Sequence, residues 1–499
     1  MPEGKYLLGI DNGGTLSKAA LFTFDGDELT CSSRKVEQIE LHPGWSERDA
    51  KDMWQGTAEA VREVITSSGI DAADIAAVAC TGHGNGLYLV DESGNPVRNA
   101  INSTDSRASA YVDRWLADGI DEKVLPLTTQ CVWPAQPNAL LAWLRDNEPK
   151  TMERARWVLF AKDFVRTQLT GEIWMEETDM SGSSLMNVVT GQYDEAVLEL
   201  FGIGEMQSLL PPLRKSHELC GKVTAEAAAL TGLAEGTPVA GGMFDIDACG
   251  LASGIVDEGQ MSLVAGTWGN NQYISREPLI DKDLFMTSRY CIPGWYLMLE
   301  GSPTSASNLE WFVSRFLGEG QSDGKSLYRE CDEAVAATRP DDADIVFLPF
   351  LFGSNESSSA KSSFLGLENQ HTRGDVLRAV YEGIVFSHNY HLQRLLQFRD
   401  KPDCIRFTGG AARSEVWVQM FADCFQIPVE IPAGTELGAL GAAIAAAVAV
   451  GVYPDYLSAV NAMTKISRRH EPDPDMAGIY QEKYARYRKA IQTLDALWN

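Results

Sequence analysis

The 499-residue chain is 44% hydrophobic and 22% charged, an ordinary globular composition with enough length for two large domains. Its 42 lysines and arginines face 69 aspartates and glutamates, and the formal charge of −27 argues against nucleic acid or an anionic membrane as a partner. Nine scattered cysteines with no Cys-x-x-Cys pair argue against both a disulfide framework and a zinc site.

The apolar run 6–10 predicts a buried strand ending at Asp11. The turn formers Asn12-Gly13-Gly14-Thr15 follow, and a second strand resumes over 17–24, so the pair reads as a hairpin. This is not the strand-to-helix entry of a Walker P-loop, whose Gly-x-x-x-x-Gly-Lys-Ser/Thr pattern does not occur. A helix over 53–67 comes next, then a strand over 75–80 running into Gly82-His83-Gly84-Asn85-Gly86. Helical patterning returns over 106–117 and 138–147. A short strand, 238–240, leads into Gly241-Gly242-Met243-Phe244-Asp245.

The second half opens in the same way. A strand over 261–265 runs into Gly266-Thr267, and another covers 272–274. A strand over 345–348, a helix over 375–398, and a strand over 404–408 with the turn Gly409-Gly410-Ala411 follow. Helices over 414–425, 437–449 and 477–497 complete the chain, the last with amphipathic spacing. The order of elements repeats although the sequence does not. Two α/β lobes with a cleft between them are expected, divided near residues 250–260 into 1–252 and 253–499.

Two Gly-Thr turns can grip a phosphate chain, because glycine lets backbone N–H groups approach an anion and threonine adds a hydroxyl. The candidates are Asn12, Gly13, Gly14 and Thr15, with Lys18 as a point charge, and Gly266 with Thr267. An ordinary hairpin uses the same residue types. Asp11, at the strand end beside the first turn, is the candidate for orienting Mg²⁺, directly or through water. Asp245 reads two ways, as a base for a hydroxyl proton or as a helix N-cap, a role Asp247 fills equally well. Gly409, Gly410 and Ala411, leading to Ser414, suit the close approach of a flat adenine ring. His83, Gly84, Asn85, Thr104, Asp105 and Arg107 are candidates for sugar hydroxyls, although such residues also serve plain turns.

Together these segments resemble the FGGY family of carbohydrate kinases over nearly the whole chain. Residues 9–15 are similar to the family's first phosphate motif, and Pro43-Gly44-Trp45-Ser46-Glu47 with Trp54 to its Gly-Trp-x-Glu segment. Ala265-Gly266-Thr267 is similar to the second phosphate motif, and Gly409-Gly410-Ala411 with Ser414 and Trp417 to the adenosine motif. The most specific match is Gly366-Leu367 followed by Asp375-Val376 and Ala379-Val380-Tyr381-Glu382, with 436–443 as the closing helix. Segments 137–144, 302–311 and 350–355 look most like the pentulose kinases, the L-xylulose kinase branch in particular.

The resemblance implies two ribonuclease-H-like lobes of the actin, hexokinase and Hsp70 ATPase type, with ATP and Mg²⁺ between them. It implies Asp245 as the catalytic base, Ala306 on the nucleotide side, and phosphorylation of a small keto sugar such as L-xylulose. Ile246 stands where many members carry Gln or Asn, and Trp268 where a small residue is common, so a tetritol, another polyol or glycerol stays open as the acceptor. A non-catalytic reading, an ATP-binding chaperone or a sugar sensor on the same fold, has no use for a base at Asp245. With no basic leader at 1–9 and an Ala-rich run at 439–450 too short to span a bilayer, a soluble cytoplasmic protein is expected. The oligomeric state, a homodimer included, is left open.

Overall fold

The computed structural model describes residues 4–266, 268–318, 326–351, 353–354 and 360–498. The candidate Thr267, and Phe352 and Asn355 of the 350–355 segment, lie outside the described residues. The chain forms two compact units, neither continuous: Met1–Val256 with Ile274–Met298 and Gly434–Lys465, and Asp257–Tyr273 with Leu299–Ala433 and Ile466–Asn499.

In the first unit a mixed sheet is built from β1 (Tyr6–Asn12), β2 (Leu16–Thr23), β3 (Glu28–Lys35), β4 (Ile75–Gly82), β5 (Leu219–Lys222), β6 (Pro238–Ala240) and β7 (Met243–Phe244). Its order is β5-β6-β4-β1-β2-β3, with β7 beside β4. Burial follows position in the sheet. Central β4 is buried at every residue and reads as an unbroken small-apolar run, whereas edge strand β3 alternates exposed and half-buried residues. Helix α1 (Ala50–Ser68) is capped by Asp49, turns Met53, Trp54, Ala58, Val61 and Val64 inward, and ends at Gly69 with φ 69°. These side chains join Leu8, Ile10, Val78 and Cys80 in one core.

The register decides where function can sit. β1 and β4 run parallel with Asn12 opposite Gly82, and β7 runs parallel to β4 with Phe244 opposite the same Gly82. Three strands therefore end level, and the residues that follow them, Gly13, His83 and Asp245, leave the sheet along one carboxyl-terminal edge.

The other face of this sheet explains why a division at 252/253 does not describe the compact units. Helix α2 (Asp245–Ala252) and helix α3 (Leu437–Ala449) pack there with Leu7, Ala77 and Ala79. The approach depends on missing side chains: a Cβ on Gly9 would stand 1.9 Å from the Ala439 carbonyl oxygen, and one on Gly441 would stand 2.2 Å from that of Ala248. The Ala-rich helix is thus buried against the N-terminal sheet, far away in sequence.

A second sheet repeats the pattern with β8 (Gln260–Ala265), β9 (Gly269–Ser275), β10 (Tyr296–Ser302), β11 (Cys404–Thr408), β12 (Val429–Pro432) and β13 (Ile466–His470), ordered β10-β9-β8-β11-β12-β13. β8 forms an antiparallel hairpin with β9 and pairs in parallel with β11, as β1 does with β2 and β4. Among the described residues no helix is long and apolar enough to cross a membrane.

Candidate active site

The first turn separates its carbonyls from its amides. The Gly13 N–H closes the hairpin onto the Leu16 carbonyl at 2.9 Å, and the Thr15 carbonyl accepts from the Val36 N–H at 2.9 Å. The carbonyls of Gly13 and Gly14 accept from the Arg48 guanidinium at 3.2 and 2.6 Å. Among the described residues the amides of Gly14 and Thr15 donate to no backbone carbonyl, and both residues are exposed. Two amides without a backbone acceptor, in exposed residues whose neighbouring carbonyls are held by Arg48, suit an anion. Asn12 takes no part through its side chain, which is buried and donates to Ser17 Oγ at 3.0 Å and Thr57 Oγ1 at 2.9 Å.

Asp11 lies at the foot of this turn. Its carboxylate sits over the first turn of α3, where a Cβ on Gly438 would stand 2.6 Å from Asp11 Oδ2, so the helix N-terminus faces the acid. Burial pushes the Asp11 carboxyl up from its ordinary range, Lys18 opposes that shift and Glu436 adds to it. Lys18, expected as a point charge beside the turn, is ion-paired with Glu436 at 2.9 Å. Burial works against its ammonium, but the Glu436 bond and the Asp11 charge outweigh it and hold the group above its usual range.

Asp245 begins α2, and the cap reading fails on geometry. The N-cap is Phe244 and no side chain caps the helix, so neither Asp245 nor Asp247 does that work. Asp247 is fully buried and accepts from the Cys291 N–H at 2.9 Å, which makes it a structural residue. Asp245 is half-buried; loss of water contact pushes its carboxyl well above the usual range, and the charges of Asp11 and Asp179 push it further. Its backbone is fixed from below. Thr178 Oγ1 accepts from the Phe244 N–H at 2.9 Å and donates to Glu176 Oε2 at 2.7 Å. Glu176 belongs to a wholly buried network in which Lys162 Nζ lies 2.8 Å from Asp163, 3.2 Å from Asp179 and 3.5 Å from Glu176. A carboxylate beside other carboxylates, with its proton affinity raised, is chemically a proton acceptor.

The segment after β4 supplies an unmet acceptor. His83 is buried, with Nε2 3.3 Å from the Tyr88 hydroxyl; burial and the Arg48 charge push its pKa down to about 3, so the ring is neutral at physiological pH. Gly84 must lack a side chain, because a Cβ would meet the Phe244 ring at 2.1 Å. Asn85 holds φ at 58°, is buried, and leaves Oδ1 without a hydrogen-bond partner among the described residues. Such an orphan costs about 1–3 kcal/mol, which a ligand hydroxyl recovers. Thr104 is exposed. Asp105 is already saturated, accepting from the Ser46 N–H at 2.7 Å and from Arg107 Nε and Nη2 at 2.9 Å each. Arg107 also pairs with Glu47 at 2.9 Å and lies 4.4 Å over the Trp45 ring, so this pair buttresses the Gly-Trp-Ser-Glu segment.

The second unit carries the remaining candidates. The Gly266 N–H donates to the Trp268 carbonyl at 3.2 Å, and Trp268 is 42% exposed, which leaves an aromatic face at this turn. Ala306 is the N-cap of the helix Ser307–Phe312. Gly409 has φ 94° and lies so close to β8 that a Cβ would stand 2.4 Å from the Ala265 carbonyl oxygen, while Gly410 has open space above it. Ala411 is buried. The exposed Gly409-Gly410 pair is a flat, side-chain-free ledge. Ser414 caps the helix Glu415–Phe425 by accepting from the Trp417 N–H at 3.2 Å, and donates to Asp332 at 2.6 Å.

Sequence reasoning missed Arg48, Glu436, and the Glu176–Thr178 support of Asp245. Arg48 stood one residue beyond the Gly-Trp-Ser-Glu segment, and Glu436 opened the closing helix, but neither pattern reports a tertiary partner.

Residues 6–251 match the N-terminal domain of the FGGY family of carbohydrate kinases, and residues 261–450 match its C-terminal domain. The chain is 39% identical over 492 residues to the L-xylulose/3-keto-L-gulonate kinase of Escherichia coli (strain K12), covering 98% of this chain and 97% of that protein. It is 36% identical over 496 residues to the "Probable L-xylulose kinase" of Pasteurella multocida, covering 99% of each. Among solved structures, xylulose kinase from Rhodospirillum rubrum superposes with a TM-score of 0.87 at 27% identity, covering 99% of this chain and 100% of that one.

Proposed function

The chain belongs to the FGGY family of carbohydrate kinases, and from that premise we propose that it transfers the γ-phosphoryl group of ATP to a hydroxyl of a small keto sugar, L-xylulose first. The observation that carries this reading is the level ending of β1, β4 and β7. It brings the amide-rich turn at Gly14 and Thr15, the unmet Asn85 acceptor and the Asp245 carboxylate to one edge of one sheet. The sugar preference rests on the L-xylulose kinases at 36–39% identity over nearly the full chain.

In this mechanism Asp245 accepts the proton of the attacking sugar hydroxyl. Asn85 Oδ1 accepts from a second hydroxyl, and neutral His83 contributes a hydrogen bond without charge. The amides of Gly14 and Thr15 bind phosphate oxygens. Asp11, at the foot of the Gly13–Thr15 turn, is the carboxylate that would meet a magnesium ion carried in by the nucleotide. Magnesium bound there supplies charge neutralisation on the phosphoryl oxygens.

A coupled assay of ADP release against ketopentoses, tetroses, tetritols, glycerol and aldohexoses tests the acceptor. L-xylulose is expected to give the highest kcat/KM. Glycerol or a tetritol in first place would overturn the pentulose assignment.

A further inference from the structure

Arg48 is among the largest fully buried side chains of the protein. A buried guanidinium normally has a carboxylate beside it, because an uncompensated charge away from water is costly. Arg107, Arg166 and Arg378 follow that rule, pairing with Glu47, Asp163 and Glu382. Among the described residues Arg48 has no ion pair. Its donors go instead to the carbonyls of Gly13 at 3.2 Å and Gly14 at 2.6 Å, and to Asn102 Oδ1 at 2.5 Å. Asn102 in turn donates to Ser46 Oγ at 2.9 Å, so the contact is anchored on its far side. The charge is thus placed against the turn whose exposed Gly14 and Thr15 have amides with no backbone acceptor among the described residues, in a chain of formal charge −27.

We propose that Arg48 is a positioning residue for phosphoryl transfer. Its fork holds the Gly13 and Gly14 carbonyls inward, which keeps the amide face open, and its charge biases the turn toward a polyphosphate. A neutral donor could orient the carbonyls, but it would not offset the electrostatic penalty a triphosphate meets here. The proposal rests on reading this turn as a phosphate site, and it adds the source of the positive potential, since Lys18 is occupied by Glu436.

The test uses Arg48→Lys, Arg48→Met and Arg48→Ala in the full-length protein. Calorimetry reads affinity for a non-hydrolysable ATP analogue, kinetics reads KM for each substrate, and circular dichroism reads folding. Arg48→Met is expected to weaken the analogue by at least roughly tenfold, the scale of one charge-assisted hydrogen bond, while KM for sugar stays within about twofold. Arg48→Lys, which keeps the charge but not the fork, should fall between Met and the parent. Millimolar guanidinium should restore part of the analogue affinity of Arg48→Ala. Folded Arg48→Lys and Arg48→Met that bind the analogue like the parent would overturn the proposal, as would sugar and nucleotide KM rising together without rescue. If Arg48→Met fails to fold, the Lys variant and the rescue decide alone. A parent protein that binds the analogue but phosphorylates no sugar defeats the kinase reading instead, and the affinity comparison still judges Arg48.

Discussion

Asp245→Asn should lower kcat by roughly 10²–10⁴-fold, the usual contribution of a positioned general base, and leave nucleotide affinity and melting temperature close to the parent's. Asn preserves the volume and the start of α2, where no side-chain cap exists to be lost. It even relieves a cost, because Asp245 shares its surroundings with the charges of Asp11 and Asp179. Asp247→Asn provides the contrast. Asp247 is buried and accepts from the Cys291 N–H, a bond the Asn carbonyl oxygen can still accept, so its replacement should leave kcat close to the parent's. Wild-type turnover in Asp245→Asn, with Asp247→Asn folded but inactive, would transfer the base to the wrong side of this comparison and refute the assignment.

Asp11→Asn should raise the magnesium concentration for half-maximal turnover by roughly 10–100-fold, whether the carboxylate meets the ion directly or through water. The fold should survive, since Asn fits the space that Gly438 leaves open above α3. The neighbouring ion pair of Lys18 with Glu436 has no free charge to substitute for the lost carboxylate. Titrating activity with magnesium in parent and variant measures the shift directly, and undiminished parent turnover in excess EDTA would remove the metal role.

Much of the fold was readable because it rests on local pattern. The hairpin of β1 and β2, strand Cys404–Thr408 and helix Leu437–Ala449 lie where apolar runs and turn formers put them. The discontinuous units were not readable from local pattern. The fit of Gly441 against Ala248, and of Gly9 against Ala439, is a contact between surfaces remote in sequence. The candidate site residues divide in the same manner. Asp11, the Gly13–Thr15 turn and Asp245 announce themselves by standing at strand ends. Asn12, Asp105 and Ser414 bear the right chemistry, but their side chains are spent on Thr57, Arg107 and Asp332, and only tertiary structure shows where such groups are committed. Arg48 was hidden for the opposite reason, as an arginine in a polar stretch reads as solvated until the fold buries it. Asn85 lay between, since Gly-Asn-Gly announces a turn but not that Oδ1 is left unmet inside it.

Phosphorus NMR on the purified protein with ATP, magnesium and L-xylulose follows phosphoryl transfer to the sugar itself. The γ-phosphate resonance of ATP is expected to decay while a sugar phosphomonoester resonance grows in equal amount, with inorganic phosphate a minor species. Release of inorganic phosphate alone, or intact ATP with every ketopentose, tetrose and polyol supplied, would contradict transfer to the sugar.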